Sequence, residues 1–523
     1  MSEKNVVMYD TTLRDGMQGI QVSYTLEDKI KIAHALDDMG IDYIEGGFPL
    51  SNEKEAAFFQ RAREETFNHA KIVAFGSTCK PGTAAKDDPM VRALIDAGTE
   101  TVIVVGKTWK AHVEKVLKTD PEENLRIVRD TVSFLRSEGR EVFFDLEHFF
   151  DGYKDDPAYA VEVLKAGSEA GAHCLILCDT NGGTLTHEVM AIMAALPQGE
   201  LAPLGGHFHN DCGVAVANSM AALDSGAVQI QGTINGWGER CGNANLCTII
   251  PNVVLKTGYA STCAPYVQHI THLSRFVAEK ANIIPDRRQP YVGDAAFSHK
   301  AGQHADVVNK AADLMEHIDG RLVGNERHIV LSELAGKSTV VEKLREYGEF
   351  TKSSPVVDEL TSLLKQRENE GYEYEAAEAS FDILVRRALG LYQPLISLRN
   401  YHLESFKTGN TPSKTVGRVF LENGTRELMG AAVCVGPVDT LDRALRDALE
   451  AEHPWLSEII LTDYRVRVLN PESGSAAKVR VFVTFSDRTH TWDTVGVNAN
   501  IVEASWEALS DAIEYYYNAI LKK

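Results

Sequence analysis

The chain has 523 residues, which is too long for one hydrophobic core and predicts two or three domains. Its 53 Lys and Arg against 74 Asp and Glu give a formal net charge of −21, which argues against a large nucleic-acid surface. No run approaches the roughly 18 uninterrupted apolar residues of a membrane helix, and the polar residues 1–5 lead into the first strand without a signal-peptide core. We therefore expect a cytoplasmic globular protein that binds neither nucleic acid nor membrane.

A helix that ends at glycine and is followed by a short apolar strand recurs through the first half of the chain. The glycines are Gly40, Gly98, Gly139, Gly171 and Gly226. Each suits a left-handed helix C-cap, and most of the following strands are apolar on both faces, as in a parallel sheet covered by helices. With further strands at 6–9, 71–75 and 204–209, the pattern predicts eight strand-helix units and hence a (β/α)8 TIM barrel. A doubly wound sheet is the alternative.

Two local features refine this prediction. Thr25 can cap a helix over 26–39, whose apolar residues follow helical spacing. The eight cysteines include no C-x-x-C pair, and Cys174 and Cys178 lie on one face of an apolar strand. We interpret them as reduced core residues and not as a disulfide framework or a structural zinc site.

Polar side chains gather at, or just past, the carboxyl ends of the predicted strands. They are Arg14, Asp15, Glu45, Ser77, Glu147, Asp179, Thr180, His207, His209 and residues 235–243. In barrel enzymes this end of the strands carries the active site. The placement therefore favours an enzyme.

His207 and His209 predict a metal site. Residues two apart in a strand project from the same face, so both imidazoles can bind one divalent cation. Asp15, in a turn after the strand at 6–9, is the candidate oxygen ligand. Two nitrogens and one carboxylate leave coordination positions free, as in a catalytic site, and they suit zinc, manganese, cobalt or magnesium. The alternative is two ordinary strand histidines and a turn aspartate.

The pattern changes from about residue 275 to helical segments with short loops. The charged stretch 365–371 is a solvated helix end or a linker. After residue 400, alternation at 414–421 and 478–485 predicts antiparallel strands, and helices at 440–452 and 501–522 each follow a strand group. We predict a barrel over 1–275, helical linker subdomains over 276–399 and a pseudo-repeated α+β domain over 400–523.

Three segments carry a resemblance to a known family. Residues 11–18 (TTLRDGMQ), 207–211 (HFHND) and 236–244 (GWGERCGNA) together resemble the 2-isopropylmalate, homocitrate and citramalate synthases. These are metal-dependent Claisen condensation enzymes built on a TIM barrel. The resemblance runs the full length of the chain, and residues 45–49, 145–154 and 322–327 are most similar to the citramalate synthase branch.

The resemblance implies an acyltransferase that condenses acetyl-CoA with pyruvate and hydrolyses the thioester to (R)-citramalate and CoA, in isoleucine biosynthesis. One alternative is a 2-isopropylmalate synthase that acts on 2-ketoisovalerate, and another is a CoA-independent metal-dependent aldolase or lyase. A catalytically silent scaffold is disfavoured because Arg14, Asp15, His207 and His209 are all present.

Candidate substrate and metal contacts follow from this chemistry. A 2-keto acid can chelate the metal, and Arg14 could then donate to the keto oxygen; its alternative is a structural ion pair with Glu45 or Glu147. By resemblance, Asn243 belongs near the metal, directly or through water, and otherwise is a loop-capping amide. The resemblance also assigns Thr180, otherwise a strand-end cap, and Gln18 to substrate binding.

The acetyl methyl group must lose a proton, so a general base is required. Glu147 is one candidate. His304 is another, because it matches a family histidine that enters the active site from the neighbouring subunit, which implies a homodimer; the alternative is a surface histidine. Met315 stands where relatives often have a tyrosine, which leaves water or Asp306 as the proton relay.

Two further features have both a local and a functional interpretation. The glycines of the Gly236-x-Gly238 pair are expected to let the backbone pass close to the metal site, and the Trp237 ring is a packing residue or a CoA contact. For the C-terminal domain, the resemblance implies an allosteric domain that binds isoleucine, or leucine in the isopropylmalate alternative. A pure dimerisation domain is the other interpretation.

Overall fold

The structure, a computed structural model, describes residues 4–299, 314–329, 337–423, 426–487 and 489–522. The chain divides into two units, Met1–Phe297 with Ile318–Arg327, and Ser298–His317 with His328–Lys523. Each unit is described by itself. Among the described helices, none has the length and apolar character that crossing a membrane requires.

The first unit is a closed barrel of eight parallel strands in sequential order. The strands are β1 Val7–Asp10, β2 Tyr43–Gly47, β3 Lys71–Ser77, β4 Thr101–Lys107, β5 Glu141–Glu147, β6 Cys174–Asp179, β7 Leu204–Phe208 and β8 Gln229–Gly232. Pairing of β1 with β8, from Val7 opposite Gln229 to Asp10 opposite Gly232, closes the ring. The predicted (β/α)8 barrel is confirmed, and the doubly wound alternative is wrong.

Helices alternate with these strands. They are α1 Leu26–Asp38, α2 Glu53–Ala62, α3 Pro89–Asp96, α4 Lys110–His112 with the π-helical turn Val113–Leu117, α5 Pro121–Ser137, α6 Phe149–Asp155, α7 Pro157–Glu169, α8 Thr186–Ala195, α9 Ala215–Asp224, α10 Leu246–Lys256 and α11 Ile270–Ala281. The cap of α1 is as predicted: Thr25 Oγ1 accepts from the Asp28 backbone N–H at 3.1 Å, and Asp28 accepts from the Thr25 N–H at 3.2 Å. The five predicted glycine caps all have positive φ.

Alternate residues of each strand face the barrel interior. Tyr9, Val73, Ile103, Phe143 and Ile176 form a buried cluster there with Cys174 and Cys178. All eight cysteines are free, so the interpretation of the last two as reduced core residues is confirmed. By the same alternation, Lys107, Asp145 and Glu147 also project into the barrel, towards its carboxyl-terminal mouth.

The second unit combines helices and antiparallel sheets. Its helices are α12 Lys337–Leu344, α13 Pro355–Glu370, α14 Glu378–Ala388, α15 Pro437–Leu449 and α16 Ile501–Tyr515, and its strands are β9 Ser298–His299, β10 His328–Ile329, β11 Leu398–Phe406, β12 Lys414–Asn423, β13 Arg426–Cys434, β14 Ile460–Val468, β15 Val479–Ser486 and β16 Thr491–Asn498. Strands β11–β13 and β14–β16 form two three-stranded sheets, each followed by one long helix. This matches the predicted α+β arrangement of two similar halves.

Some predicted limits differ from the observed ones. Helix α15 begins at Pro437, three residues before the predicted start, because proline fits the first turn of a helix. The predicted helix over 501–522 changes at Tyr516 into a π-helical turn. The predicted divisions after residues 275 and 399 fall inside α11 and β11, because this helix and this strand continue across the predicted boundaries. The three-domain division itself stays a prediction.

Candidate active site

Asp15, His207 and His209 converge at the mouth of the barrel. Asp15 lies in the turn after β1, and the histidines lie at the end of β7 and just beyond it. Nε2 of His207 is 3.4 Å from Nε2 of His209, and Asp15 Oδ2 is 3.5 and 3.8 Å from these two nitrogens. All three side chains are buried. The structure therefore brings together the three residues predicted to bind a metal.

The state of His207 fits a metal ligand. Its Nδ1 lies 3.0 Å from the side-chain oxygen of Gln231, an acceptor that requires the proton on Nδ1. The lone pair of Nε2 then faces Asp15. Burial, together with the nearby His209, lowers the pKa of His207 to about 4, so the ring is neutral at pH 7. Nε2 of His209 lies 3.4 Å away, so a proton or a cation between the two nitrogens would bind both rings.

Asp15 is ionised. Burial alone would raise its pKa, but Arg14 and the two histidines outweigh burial and lower the pKa of Asp15 to about 2. Asn243 Nδ2 donates to Asp15 Oδ1 at 3.0 Å, so this amide lies where the resemblance expects it. Within the described residues, Asn243 Oδ1 and His209 Nδ1 are buried without a hydrogen-bond partner. A carboxylate, two neutral imidazoles and an adjacent amide oxygen form a donor set that suits a divalent cation.

Arg14 lies between Asp15 and Glu45. Its Nη1 donates to Asp15 Oδ2 at 3.1 Å, and its Nε donates to Glu45 Oε1. The guanidinium carbon lies 4.1 Å from the centroid of the Phe75 ring. Although burial opposes it, Glu45 and Asp15 raise the pKa of Arg14, so the group stays charged. Glu45, and not Glu147, is therefore the ion-pair partner of Arg14.

Glu147 has a different partner. Its carboxylate contacts Lys107 Nζ, and the two residues face each other at the ends of β5 and β4. Thr180 Oγ1 accepts from the His148 backbone N–H at 2.9 Å, as a strand-end cap would. Gln18 is exposed, and its N–H donates to the carbonyl of Asp15 at 2.9 Å.

The structure tests the predictions for Trp237 and Gly238 but not those for His304 and Asp306. Trp237 packs against the barrel core, in agreement with the packing alternative. At Gly238, whose φ is 159°, an added Cβ would lie 2.0 Å from Asn243 Nδ2, so the prediction of a close backbone approach is confirmed. His304 and Asp306 lie outside the described residues.

Sequence reasoning missed a support for His207. Gln231 Nε2 donates to Asp145 Oδ1 at 3.5 Å, while the oxygen of the same amide accepts from His207. Burial, followed by the charge of Glu45, raises the pKa of Asp145 well above its ordinary value. The alternation Glu141, Phe143, Asp145 and Glu147 was the available signal, because it places all four on the interior face of β5.

A second missed feature links the loops at the mouth. The Arg240 guanidinium donates to both carboxylate oxygens of Asp211 at 2.9 and 3.0 Å and to the Thr180 carbonyl at 2.6 Å. These bonds connect the loops that follow β6, β7 and β8. Bidentate pairing of this kind fixes geometry as well as charge. Arg240 therefore holds together the loops that carry Thr180, His209 and Asn243.

Comparison with known proteins agrees with this site. The family model described as HMGL-like matches residues 5–278. The (R)-citramalate synthase of Aquifex aeolicus is 48% identical over 520 residues, which cover 98% of each chain, and that of Geobacter sulfurreducens is 44% identical over 98% of this chain and 97% of its own. The chain belongs to the (R)-citramalate synthase family. A probable 2-isopropylmalate synthase of Methanopyrus kandleri is also similar, at 33% identity over 96% of each chain.

Membership in the (R)-citramalate synthase family confirms the resemblance carried by the three motifs. Residues 291–371 match the homocitrate synthase post-HMGL domain-like model, and residues 375–517 match the LeuA allosteric (dimerisation) domain. The second match indicates that this member of the family forms an oligomer and is allosterically regulated.

Proposed function

We propose that the chain condenses acetyl-CoA with pyruvate and hydrolyses the thioester, which releases (R)-citramalate and CoA for isoleucine biosynthesis. The observation that carries the proposal is the convergence of Asp15, His207 and His209 in a chain 42 to 48% identical to five proteins named (R)-citramalate synthase. The acidic chain has no overall field that would attract an anionic substrate. A local cation and Arg14 would supply that attraction.

Asp15, His207 and His209 would hold the divalent ion, with Asn243 bound directly or through water. Zinc, manganese, cobalt and magnesium all remain compatible with these ligands. When bound, the ion would act as a Lewis acid that polarises the keto group of a chelated 2-keto acid.

Arg14 would stabilise the charge that develops on the keto oxygen. Its guanidinium is fixed by Asp15 and Glu45, so it would donate without reorganising as the carbon–carbon bond forms. Thr180 uses Oγ1 as an acceptor from His148, and its hydroxyl hydrogen can donate to the substrate carboxylate. Gln18, exposed at the rim, would contact the substrate from outside.

Two groups are candidates for the base that removes the methyl proton. Glu147 projects into the barrel mouth from β5. His304 would act from the partner subunit of a homodimer. In this arrangement the catalytic barrel covers 1–275, linker subdomains cover 276–399, and a regulatory and dimerisation domain covers 400–523 of a cytoplasmic enzyme.

Isoleucine is the proposed effector. The second unit contains an open cleft of about 670 Å³ between α15 and β14, which belong to its two similar halves. Asp439 and Arg443 line it and could meet the charged ammonium and carboxylate groups of an amino acid, while Leu456, Ile459 and Leu461 offer an apolar wall for a branched side chain. Leucine would replace isoleucine if the substrate were 2-ketoisovalerate.

A panel of 2-keto acids assayed with acetyl-CoA by thiol release tests the function. We expect kcat/KM for pyruvate to exceed that for 2-ketoisovalerate by about 100-fold, because a site shaped for a methyl group excludes an isopropyl group. A preference for 2-ketoisovalerate would establish 2-isopropylmalate synthase instead. Aldol cleavage with no dependence on CoA would establish a lyase. Asp15→Asn is the inactive control.

A further inference from the structure

The pair Lys107 and Glu147 occupies the barrel mouth. The two residues end the neighbouring strands β4 and β5 and face each other in register. Lys107 Nζ contacts Glu147 Oε2, and each side chain is 23% exposed. The pair is thus accessible to a substrate and yet partly shielded from water.

The position of the pair within the ring is informative. Asp15, His207 and His209 follow β1 and β7, whereas β4 and β5 lie on the opposite wall of the eight-stranded barrel. Deeper in the barrel, Gln231 Nε2 of β8 donates to Asp145 Oδ1 of β5 at 3.5 Å. Interior side chains from these opposite sides of the barrel therefore meet. Lys107 and Glu147 therefore face the predicted keto-acid site from across the mouth.

Hydrogen bonds hold the two strand ends that carry these residues. Asn124, which is fully buried, donates from Nδ2 to the Lys107 carbonyl at 2.9 Å. His148, next to Glu147, has a left-handed backbone with φ 54°, and its N–H is bound by Thr180. Strained backbone of this kind persists only where the surroundings fix it. The strand ends that carry the ammonium and the carboxylate are thereby anchored.

A second lysine–glutamate ion pair lies at the amino-terminal end of the barrel, away from the predicted active site. Lys71 Nζ lies 2.8 Å from Glu100 Oε1 and 3.4 Å from Glu141 Oε2. Glu141 also accepts from Thr101 and Tyr43. This network closes the amino-terminal end of the barrel and serves as a structural reference for the pair at the mouth.

We propose that Lys107 is a catalytic residue that binds the thioester carbonyl oxygen of acetyl-CoA while Glu147 removes a proton from the acetyl methyl group. The C–H bond breaks, its electron pair forms the C=C bond, and the carbonyl π pair moves to the oxygen, where the Lys107 ammonium stabilises it. The C=C pair of the enolate then forms the bond to the keto carbon, the thioester carbonyl is restored, and the keto π pair moves to the keto oxygen beside Arg14, while Glu147 retains the proton. This inference rests on the proposed function and adds the group that stabilises the enolate.

The chemistry requires such a group. The methyl group of a thioester is a weak acid, and a carboxylate can deprotonate it only if the developing oxyanion meets a preorganised donor. Arg14 is engaged with Asp15 and Glu45 on the wall that carries the predicted metal ligands. Lys107 is the cation beside the carboxylate that would act as the base.

Lys107→Met tests the inference in the full-length enzyme, with Lys71→Met as the matched control. We expect kcat/KM for acetyl-CoA to fall about 100-fold or more in Lys107→Met, as for the loss of one oxyanion donor. Proton removal then limits the rate, so comparison of acetyl-CoA with its methyl-deuterated form should give a full primary isotope effect. The KM for pyruvate and the rates of Lys71→Met should stay within a factor of about 3 of wild type.

Two further variants complete the design. Lys107→Arg retains the charge and should recover part of the lost rate. Lys107→Gln replaces Lys107→Met, with the same expected loss and isotope effect, if circular dichroism shows that the latter is unfolded. Glu147→Gln combined with Lys107→Met should lose little more than either single variant, because the residues act as a unit.

The outcomes separate this inference from the proposed function. A near wild-type rate in Lys107→Met overturns it, as does a large loss with an isotope effect close to unity or a loss expressed mainly in the KM for pyruvate. If the wild-type enzyme releases no CoA thiol with any 2-keto acid, the proposed function fails and the role of Lys107 fails with it.

Discussion

His207 shows how the surroundings of one side chain decide its chemistry. Gln231 fixes the proton on Nδ1, burial keeps the ring neutral, and Asp15 lies 3.5 Å from Nε2. Burial and the nearby His209 outweigh Asp15 and Gln231, which would favour a charged ring, so His207 is a neutral imidazole with a free lone pair, as a metal ligand requires. The carboxylate and the amide that support the ring come from β5 and β8, so the barrel itself orients it.

Removal of a ligand should therefore separate metal binding from folding. We expect Asp15→Ala and His207→Ala to lose bound divalent metal and to lower the rate of thiol release about 1000-fold or more, because a Lewis acid supplies several kcal/mol to such a reaction. Circular dichroism should stay unchanged, since the ligands lie at strand ends. Metal content after dialysis is the measurement, and His173→Ala at the far end of the barrel is the control. Normal metal content in both ligand variants would exclude the assignment.

The sequence allowed part of this site to be predicted. His207 and His209 are two residues apart in one strand, and Asp15 follows a strand of the same barrel, so a periodic pattern and one fold rule bring them together. Gln231, Asp145 and Lys107 were not predicted, because each of their contacts joins side chains of two different strands. Pairing across a barrel depends on strand stagger, which no local pattern encodes.

At the scale of elements, the end of β1 determines where Arg14 and Asp15 lie. Asp10 accepts from the Thr12 N–H at 2.8 Å and from the Thr12 hydroxyl at 2.7 Å. Thr12 Oγ1 in turn accepts from the Ile234 N–H at 2.9 Å, which ties this turn to the segment after β8. Asp10 is fully buried, so the turn depends on a carboxyl group without contact to water.

That carboxyl group should make stability depend on pH. Burial raises the pKa of Asp10 from 3.8 to about 7, although hydrogen bonds from Thr12 oppose the shift. Between these values the folded state binds more protons than the unfolded state, so the free energy of unfolding falls as pH rises from about 4 to about 7. Asp10→Asn removes this contribution. Urea unfolding of both proteins across this range should show the variant gaining roughly 3 to 4 kcal/mol relative to wild type. If the free energy of unfolding of the two proteins changed with pH in the same way, the raised pKa of Asp10 would be contradicted.

Elements were predictable where the pattern is local. All eight barrel strands and the cap of α1 follow from short apolar runs, the glycines that precede five of them, and Thr25 before a helical pattern. The observed start of α15 lies three residues before the predicted one, because Pro437 occupies the first turn of the helix. Boundaries of this kind depend on capping contacts and not on periodicity.

At the scale of the whole molecule, the match of residues 375–517 to a LeuA allosteric (dimerisation) domain indicates an oligomer. If His304 acts across a dimer interface, inactive His304→Ala and inactive His207→Ala subunits should complement each other when mixed. Random exchange places both intact groups at one site of each hybrid dimer, so we expect about a quarter of the wild-type activity per subunit. Absence of recovery, once subunit exchange is demonstrated, would show that each subunit supplies its own base.

Feedback control is the second property of the assembly. We expect isoleucine to weaken apparent pyruvate affinity about 5- to 150-fold, which corresponds to a coupling of about 1 to 3 kcal/mol. Arg443, which is largely exposed in the proposed effector cleft, should matter for this response and not for the uninhibited rate. Steady-state rates of wild type and Arg443→Ala with isoleucine or leucine are the measurement. Equal inhibition of both proteins would place the effector elsewhere.

The identity of the product formed from pyruvate and doubly ¹³C-labelled acetyl-CoA tests the central claim most directly. We predict (R)-citramalate that carries both labelled carbons, formed together with one equivalent of free CoA, when the products are analysed by chiral chromatography and mass spectrometry. An unlabelled product, the S enantiomer, or turnover with 2-ketoisovalerate but not with pyruvate would contradict the account.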